Sequence, residues 1–171
     1  MKHYKAPWGR MLIVTSATVT VVCVGAAVGI LWVSIAKHGP FLVGALALLP
    51  LALVVGFLPF MVRGYTITPD AILIHRPFWD TPLPRRSLES ASVEPEAMRG
   101  SLKTWGNGGG FSFTGSFYNP RLRFYRAFVN DLHRTVVLRY DGRTIVVSPE
   151  APDAFVSDLG LLGQPRLNRH R

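Results

Sequence analysis

The first hint of chemistry in this sequence is the stretch Trp105-Gly106-Asn107-Gly108-Gly109-Gly110-Phe111. Glycine-rich loops can cradle phosphate with their backbone N–H groups. The spacing here does not support that reading. Counting G-x-G-x-x-G from Gly106 or Gly108 puts Phe111 or Phe113 where the third glycine belongs. Gly110 and Gly115 have the P-loop interval, but Ser116 stands where the phosphate-binding lysine is required. Strand-like residues follow, so no helix N-terminus is offered to an anion. These glycines fit a left-handed or bulged start to a strand.

Other catalytic patterns also fail on spacing or context. Gly110-Phe111-Ser112-Phe113-Thr114-Gly115 misses the G-x-S-x-G elbow by one residue and lacks its strand-turn-helix setting. His75 and His133 belong to no recognisable acid-base arrangement, and the histidines lack metal-ligand spacing. Cys23 is the single cysteine, so an intramolecular disulfide or a thiolate cluster is excluded. The expectation is a non-enzymatic chain with no catalytic residues, no metal and no cofactor.

The basic residues are more suggestive. Arg121, Arg123, Arg126, Arg134 and Arg139 surround one strand-turn-strand region, with Tyr118, Phe124 and Tyr125 interleaved, and Arg85 and Arg86 follow an earlier hairpin. Three readings compete for this candidate surface. It could hold anionic lipid headgroups, where each cation near a cytoplasmic leaflet is worth about 1 kcal/mol. It could meet an acidic protein partner. It could also be a solvated face with ion pairs of little worth. Nucleic acid is disfavoured, because acids are mixed in and no binding motif accompanies the charge.

The elements that must position these residues are visible in the composition. The chain has 171 residues, is 49% apolar and 17% charged, and carries a formal charge of +9. Soluble domains are about one-quarter charged, so apolar residues must be concentrated somewhere. They lie in Met11–Ala36 and Phe41–Val62, two uncharged runs each long enough to cross a bilayer as a helix. Lys37-His38-Gly39-Pro40 joins them as a short external loop. The first run, after Lys2, Lys5 and Arg10, also resembles a signal peptide ending at Ser34-Ile35-Ala36. It is long for one, however, and a second run follows directly.

Three cations precede the first span and one lies in the loop, so the positive-inside rule puts both termini in the cytoplasm of a plasma-membrane protein. Residues 1–10 form a basic cytoplasmic arm. Pro50 should kink the second helix, and Pro59 should end its regular part. Gly25 with Gly29, and Ala52 with Gly56, are small residues at spacing four. They suit close helix packing, either within the hairpin or between copies. Neither span carries a charge, which disfavours transport.

Residues 63–163 read as a mainly-β domain, and 164–171 as a disordered basic tail. Tyr65–Ile67 and Ala71–His75 flank a Thr68-Pro69-Asp70 turn, and Pro77–Pro84 reads as a loop. Thr135–Ser148 is the clearest element, a hairpin turning at Asp141-Gly142. Its register pairs Leu138 with Ile145 and Val136 with Val147 on the core face, leaving Arg139 and Thr144 on the other. A terminal helix capped by Ser148, with Pro149 in its first turn, carries Phe155, Leu159 and Leu162 at helical spacing. It ends at Gly163 and Pro165.

The segment from Trp105 to Phe117, Tyr125-Arg126-Ala127-Phe128, and Asp141 to Pro149 resemble a bacterial pleckstrin-homology (PH) domain, of the group preceded by two transmembrane helices. The resemblance implies a two-helix membrane hairpin followed by about seven antiparallel strands in two packed sheets, closed by a C-terminal helix. The uncharged spans, the basic surface and the lack of a catalytic pattern lead to the expectation of a membrane-anchored binding or scaffolding module for a protein partner, for self-assembly or for anionic headgroups. An accessory subunit recruited to an envelope enzyme or transporter through its hairpin is the alternative.

Overall fold

The computed structural model describes residues 1–160. The expected tail at 164–171, together with Leu162, Gly163 and Pro165, lies outside the described residues. Helix α1 runs unbroken over Arg10–Ala36. The chain reverses through Lys37 and His38, where the Gly39 N–H donates to the Ser34 carbonyl at 2.8 Å. The second helix is split into α2 (Phe41–Ala45) and α3 (Leu48–Phe57), then a 3-10 turn over Leu58–Phe60. Both interruptions follow from proline. Pro50 has no N–H for the Leu46 carbonyl, so the helix loosens at residues 46–47, and Pro59 tightens the last turn. Regular α-helix stops at Phe57 and the 3-10 turn at Phe60, two residues before the expected boundary. Both segments are long and apolar enough to cross a membrane.

Among the described residues, ten strands form two sheets. Strands β1 (Lys2–Lys5), β2 (Gly64–Ile67), β3 (Ala71–His75) and β4 (Asp80–Pro84) form one sheet in that order. The other comprises β5 (Leu88–Val93), β6 (Leu102–Gly108), β7 (Phe113–Asn119), β8 (Arg123–Val129), β9 (Val136–Tyr140) and β10 (Arg143–Val147), ordered β5-β9-β10-β8-β7-β6. Helix α4 (Pro152–Asp158) closes the domain. The two packed sheets and terminal helix agree with the resemblance. The strand count is higher than seven, and β10 pairs with β8 in parallel rather than antiparallel.

The Asp-Gly hairpin has the expected register, with Ile145 opposite Leu138 and Val147 opposite Val136. Those four residues join Tyr65, Ile72, Ile74, Phe128 and Phe155 in the core between the sheets. The opposite face is not simply solvated, however. Val137 and Val146 are also buried, against Met98, Phe113 and Leu12 of α1. This sheet is covered on both sides, which is why β9 and β10 read as continuous apolar runs. Tyr65 crosses the inter-sheet core, donating its hydroxyl to the Phe128 carbonyl at 2.6 Å and accepting the Ser148 N–H at 3.0 Å. Burial pushes its phenol up to about 12.

Three local expectations are corrected, and the glycine reading is refined. Residues 1–10 are not a free basic arm, because Lys2–Lys5 pairs antiparallel with β2. Tyr4 is buried edge-on against Phe155 at 5.2 Å, and Lys2 Nζ reaches Asp158 Oδ1 at 2.6 Å. Pro77–Pro84 is not wholly loop; β4 tolerates Pro82 and Pro84 because it is an edge strand. The glycine-rich stretch is strand as far as Gly108. Ser148 does not cap the last helix. Its Oγ instead accepts the Asn130 N–H at 2.9 Å, and Pro152 takes the first helical position.

Candidate functional site

The joint between domain and hairpin is built around one asparagine. Asn130, fully buried after β8, donates from Nδ2 to the Ala6 carbonyl at 3.1 Å and to the Val62 carbonyl at 2.7 Å. One side chain thereby holds the segments that enter α1 and leave the second helix. The Gly9 N–H closes the knot by donating to the Asn130 carbonyl at 3.0 Å.

The glycine-rich segment is the second clasp. Asn107 folds over it, exchanging hydrogen bonds with the backbone of Gly110. Thr15 Oγ1 of α1 donates to the Gly109 carbonyl at 2.9 Å, and the Phe111 N–H donates to Ser16 Oγ at 3.0 Å. Gly110 lies against the ring of Phe57 in α3, where an added Cβ would sit 3.1 Å from the ring. Gly106 faces Gly115 across β6 and β7 with φ of +108°, and a Cβ there would stand 2.5 Å from the Thr114 carbonyl. Gly106 therefore permits close approach between β6 and β7, as the bulged-strand reading expected, whereas Gly109 and Gly110 lie against Thr15 and Phe57 of the hairpin.

The structure disperses the candidate basic surface. Arg121 and Arg139 both pair with Glu94, at 2.5 and 3.6 Å. Arg134 lies 3.5 Å from Asp131, and Arg86 lies 4.0 Å from Asp70. Arg85 is structural: its guanidinium donates to the Thr68 and Leu159 carbonyls, each at 2.9 Å, and so ties α4 to the first sheet. Of the named residues Arg85, Arg123 and Arg126 lack an ion pair among the described residues, and Arg85 is committed to the two carbonyls instead.

The candidate surface read from the sequence left out Arg76, in the β3–β4 turn. Its guanidinium lies 5.5 Å from the Trp79 ring and 5.0 Å from the Phe128 ring, and Arg126 lies 5.5 Å from that same Phe128 ring. Arg76 Nε is buried without a partner. Burial, then the charge of Arg126, holds the Arg76 guanidinium below its ordinary value. The aromatic pair Phe78-Trp79 just after an arginine was the available signal.

One hydrogen-bonded chain has the look of a catalytic relay. His75 Nδ1 meets Asp80 Oδ1 at 2.8 Å, His75 Nε2 meets Thr66 Oγ1 at 2.7 Å, and Thr66 also meets His3 Nδ1 at 3.0 Å. These groups lie beside a cleft lined by His3, Arg63, His75, Arg76 and Asp80. Thr66, the residue in the nucleophile's place, is shared between two imidazoles. It sits on a strand paired on both sides, whose N–H groups are committed to ladders rather than free to stabilise an oxyanion. His133 is exposed, 3.4 Å from Glu96. No group of three ligands suited to a metal occurs among the described residues.

The small residues of the spans do not form the contact between the two helices. Gly25, Gly29, Ala52 and Gly56 are exposed, and a Cβ at any of the three glycines would meet nothing within 4 Å. The helices meet elsewhere, with Ala27 and Ala47 buried and Gly44 against Ser34. Three indoles surround the base of the hairpin. Trp8 lies 6.1 Å from Phe111, Trp79 lies 6.3 Å from Phe60, and Trp105 lines a cleft with Phe57 and Phe60.

No curated protein and no solved structure matches the chain. A family model described as the bacterial PH domain matches residues 63–161, the β domain from the first residue after the hairpin through α4. With more than half its length covered by that model, the chain belongs to the bacterial PH domain family.

Proposed function

We propose that the chain is a non-enzymatic binding module, a PH domain held at the cytoplasmic face of the plasma membrane by its two-helix hairpin. The observation that carries this reading is the double clasp at Asn130 and Gly109–Phe111, which fixes the domain to the base of the hairpin without a linker. A partner would meet the domain in one orientation relative to the bilayer. The depth is consistent as well. The first turns of α1 are engaged by the domain through Leu12, Thr15 and Ser16. That leaves Ala17–Ala36, about 20 residues and ~30 Å of helix, for the hydrocarbon. Trp8, Trp79 and Trp105 at one end and Trp32 near the other suit the two interfacial belts.

The test is labelling of single cysteines, with Cys23 replaced, in intact cells. Lys37→Cys should react with an impermeant maleimide from outside, and Ser157→Cys only after permeabilisation. External labelling of Ser157→Cys would sink the topology. The exposed Gly25/Gly29 and Ala52/Gly56 faces favour a second reading, an accessory subunit recruited through the hairpin. Replacing Gly25 and Gly29 by Leu separates the two in crosslinking and pull-down from native membranes. Partners lost with the double variant belong to the hairpin, and partners retained belong to the domain.

A further inference from the structure

We propose that the uncovered part of the second sheet, from the β4 edge across β8 and β7 to β6, docks an acidic segment of another protein that carries large apolar side chains. The proposal rests on the binding-module reading and names the chemistry of the partner. Phe124, Arg126 and Phe128 alternate along β8 and so share one face. Phe128 lies in the core between the sheets, whereas Phe124 and Arg126 are exposed, beyond the β4 edge of the first sheet. The bare area continues across the neighbouring strands. Tyr118 stands opposite Phe124 with ring centroids 4.9 Å apart, and Leu102 stands opposite Tyr118. Phe124 is 71% exposed and Leu102 is 70% exposed. A contiguous apolar row of this kind on a domain surface marks an interaction site.

Charge selects the occupant. Beside the row lies a groove of about 240 Å³, walled by Leu83, Phe128 and Ile145, whose charged lining is Arg126 and Arg143 with no carboxylate. Neither arginine has an ion pair among the described residues. Arg126 lies 5.5 Å from the Phe128 ring and Arg143 lies 5.0 Å from the Tyr140 ring. Arginine and aromatic residues are where protein interfaces concentrate their binding energy. The groove is smaller than the roughly 300–1,000 Å³ usual for a small-molecule site, and suits one anchoring side chain. A second copy of this chain, at +9, or its own residues 161–171, with Arg166, Arg169 and Arg171, would bring like charge to it. Position argues against lipid. Asn130 holds the hairpin at one end of β8, and Phe124 lies five residues back from Val129, about 17 Å away along the strand. The row is therefore turned away from the end at which the helices leave the domain. Pro82 and Pro84 remove backbone donors from the β4 edge, so an added strand would be poorly held there. Side chains must carry the recognition, as when an amphipathic helix lies in a groove.

The probe is a random peptide library displayed on phage and selected on the full-length chain in detergent, with the enriched peptides resynthesised for fluorescence anisotropy. Enriched sequences should be net negative, with Leu, Phe or Trp at helical spacing. Their affinity should fall about tenfold or more in Phe124→Ser and in Arg126→Glu. It should stay unchanged in Arg99→Glu, whose side chain lines a cleft on the opposite face of the sheet. All three side chains are exposed, so the fold should persist, which an unchanged thermal midpoint reports. Changing the acids of a peptide to lysine should restore its binding to Arg126→Glu. A second readout is bimane on Phe124→Cys, with Cys23 replaced, whose emission should move to the blue when an acidic peptide is added. Failure to enrich acidic sequences would overturn the proposal. Peptides that bind equally well to Phe124→Ser and Arg126→Glu would leave the module reading standing and sink this groove. A blue shift produced by phosphatidylglycerol nanodiscs alone, or by raised protein concentration alone, would give the face to the bilayer or to a second copy and overturn it as well.

Discussion

Asn130→Ala tests whether the joint between domain and hairpin is a closed structural unit. The side chain makes two buried hydrogen bonds, to the carbonyls of Ala6 and Val62, and both of those residues are buried. Each bond contributes about 1–1.5 kcal/mol net, and its loss leaves a carbonyl without a donor. The unpartnered Asn130 Oδ1 offsets part of that, since its own desolvation cost disappears with the substitution. The balance is a destabilisation of about 2 kcal/mol, or roughly a thirtyfold shift in the opening equilibrium. Opening the knot should expose the bonds after Lys5 and Arg63, because the Ala6 N–H is otherwise held on the Arg63 carbonyl. The assay is tryptic digestion of the full chain in detergent, followed by mass spectrometry, alongside a denaturant titration read by tryptophan fluorescence. Cleavage at those two sites should accelerate by a factor of ten or more, ahead of cleavage elsewhere in the domain. Unchanged cleavage at Lys5 and Arg63, with a midpoint shift below about 0.5 kcal/mol, would show that Asn130 does not hold the joint.

Three further outcomes are expected. Gly110→Val drives a side chain into the Phe57 ring and should cost about 1–3 kcal/mol by overpacking, while Gly25→Val, which has open space around it, should leave the denaturant midpoint unmoved. Asp158 is held below the ordinary carboxylate range by its hydrogen bond from Lys2 and then by that from Tyr4. The resulting stabilisation is complete above the unfolded value of about 3.9 and is lost as pH falls through the lower folded value. Hydrogen exchange at the β1 amides should therefore quicken in that acid range in the wild type and show no such step in Asp158→Asn. A chain beginning at Arg63 loses β1 and Leu12, uncovers the β2 edge, and should associate or aggregate on gel filtration. Equal monomeric behaviour with the full domain would contradict the assignment of β1 to the fold.

The features legible in the sequence were those whose signal is local. Asp141-Gly142 between alternating runs announced its hairpin and register, and two uncharged runs announced the helices. Pro50 and Pro59 marked where the second helix would falter. The illegible parts depend on partners distant in sequence. Lys2–Lys5 contains one apolar residue, Tyr4, and becomes a strand only because β2 presents an open edge after the hairpin. The first turns of α1 look like membrane span, yet Leu12 belongs to the domain's second core. The arginines looked like one surface because Glu94, which takes Arg121 and Arg139, is remote in sequence from both. Arg76 stood outside that surface for the converse reason, since its neighbours Phe128 and Arg126 come from β8.

The pairing of β1 with β2 also imposes an order on synthesis. The two strands are neighbours in the sheet, and their connection is the entire two-helix hairpin. At about 5–20 residues per second, the roughly sixty residues from Ala6 to Arg63 take several seconds to emerge. Throughout that interval Lys2–Lys5 has no strand partner while the helices that follow it are made. An unpaired edge is an aggregation hazard that terminal lysines mitigate, and β1 begins and ends with one, Lys2 and Lys5. The charges that suggested a basic arm thus also protect the strand until β2 arrives.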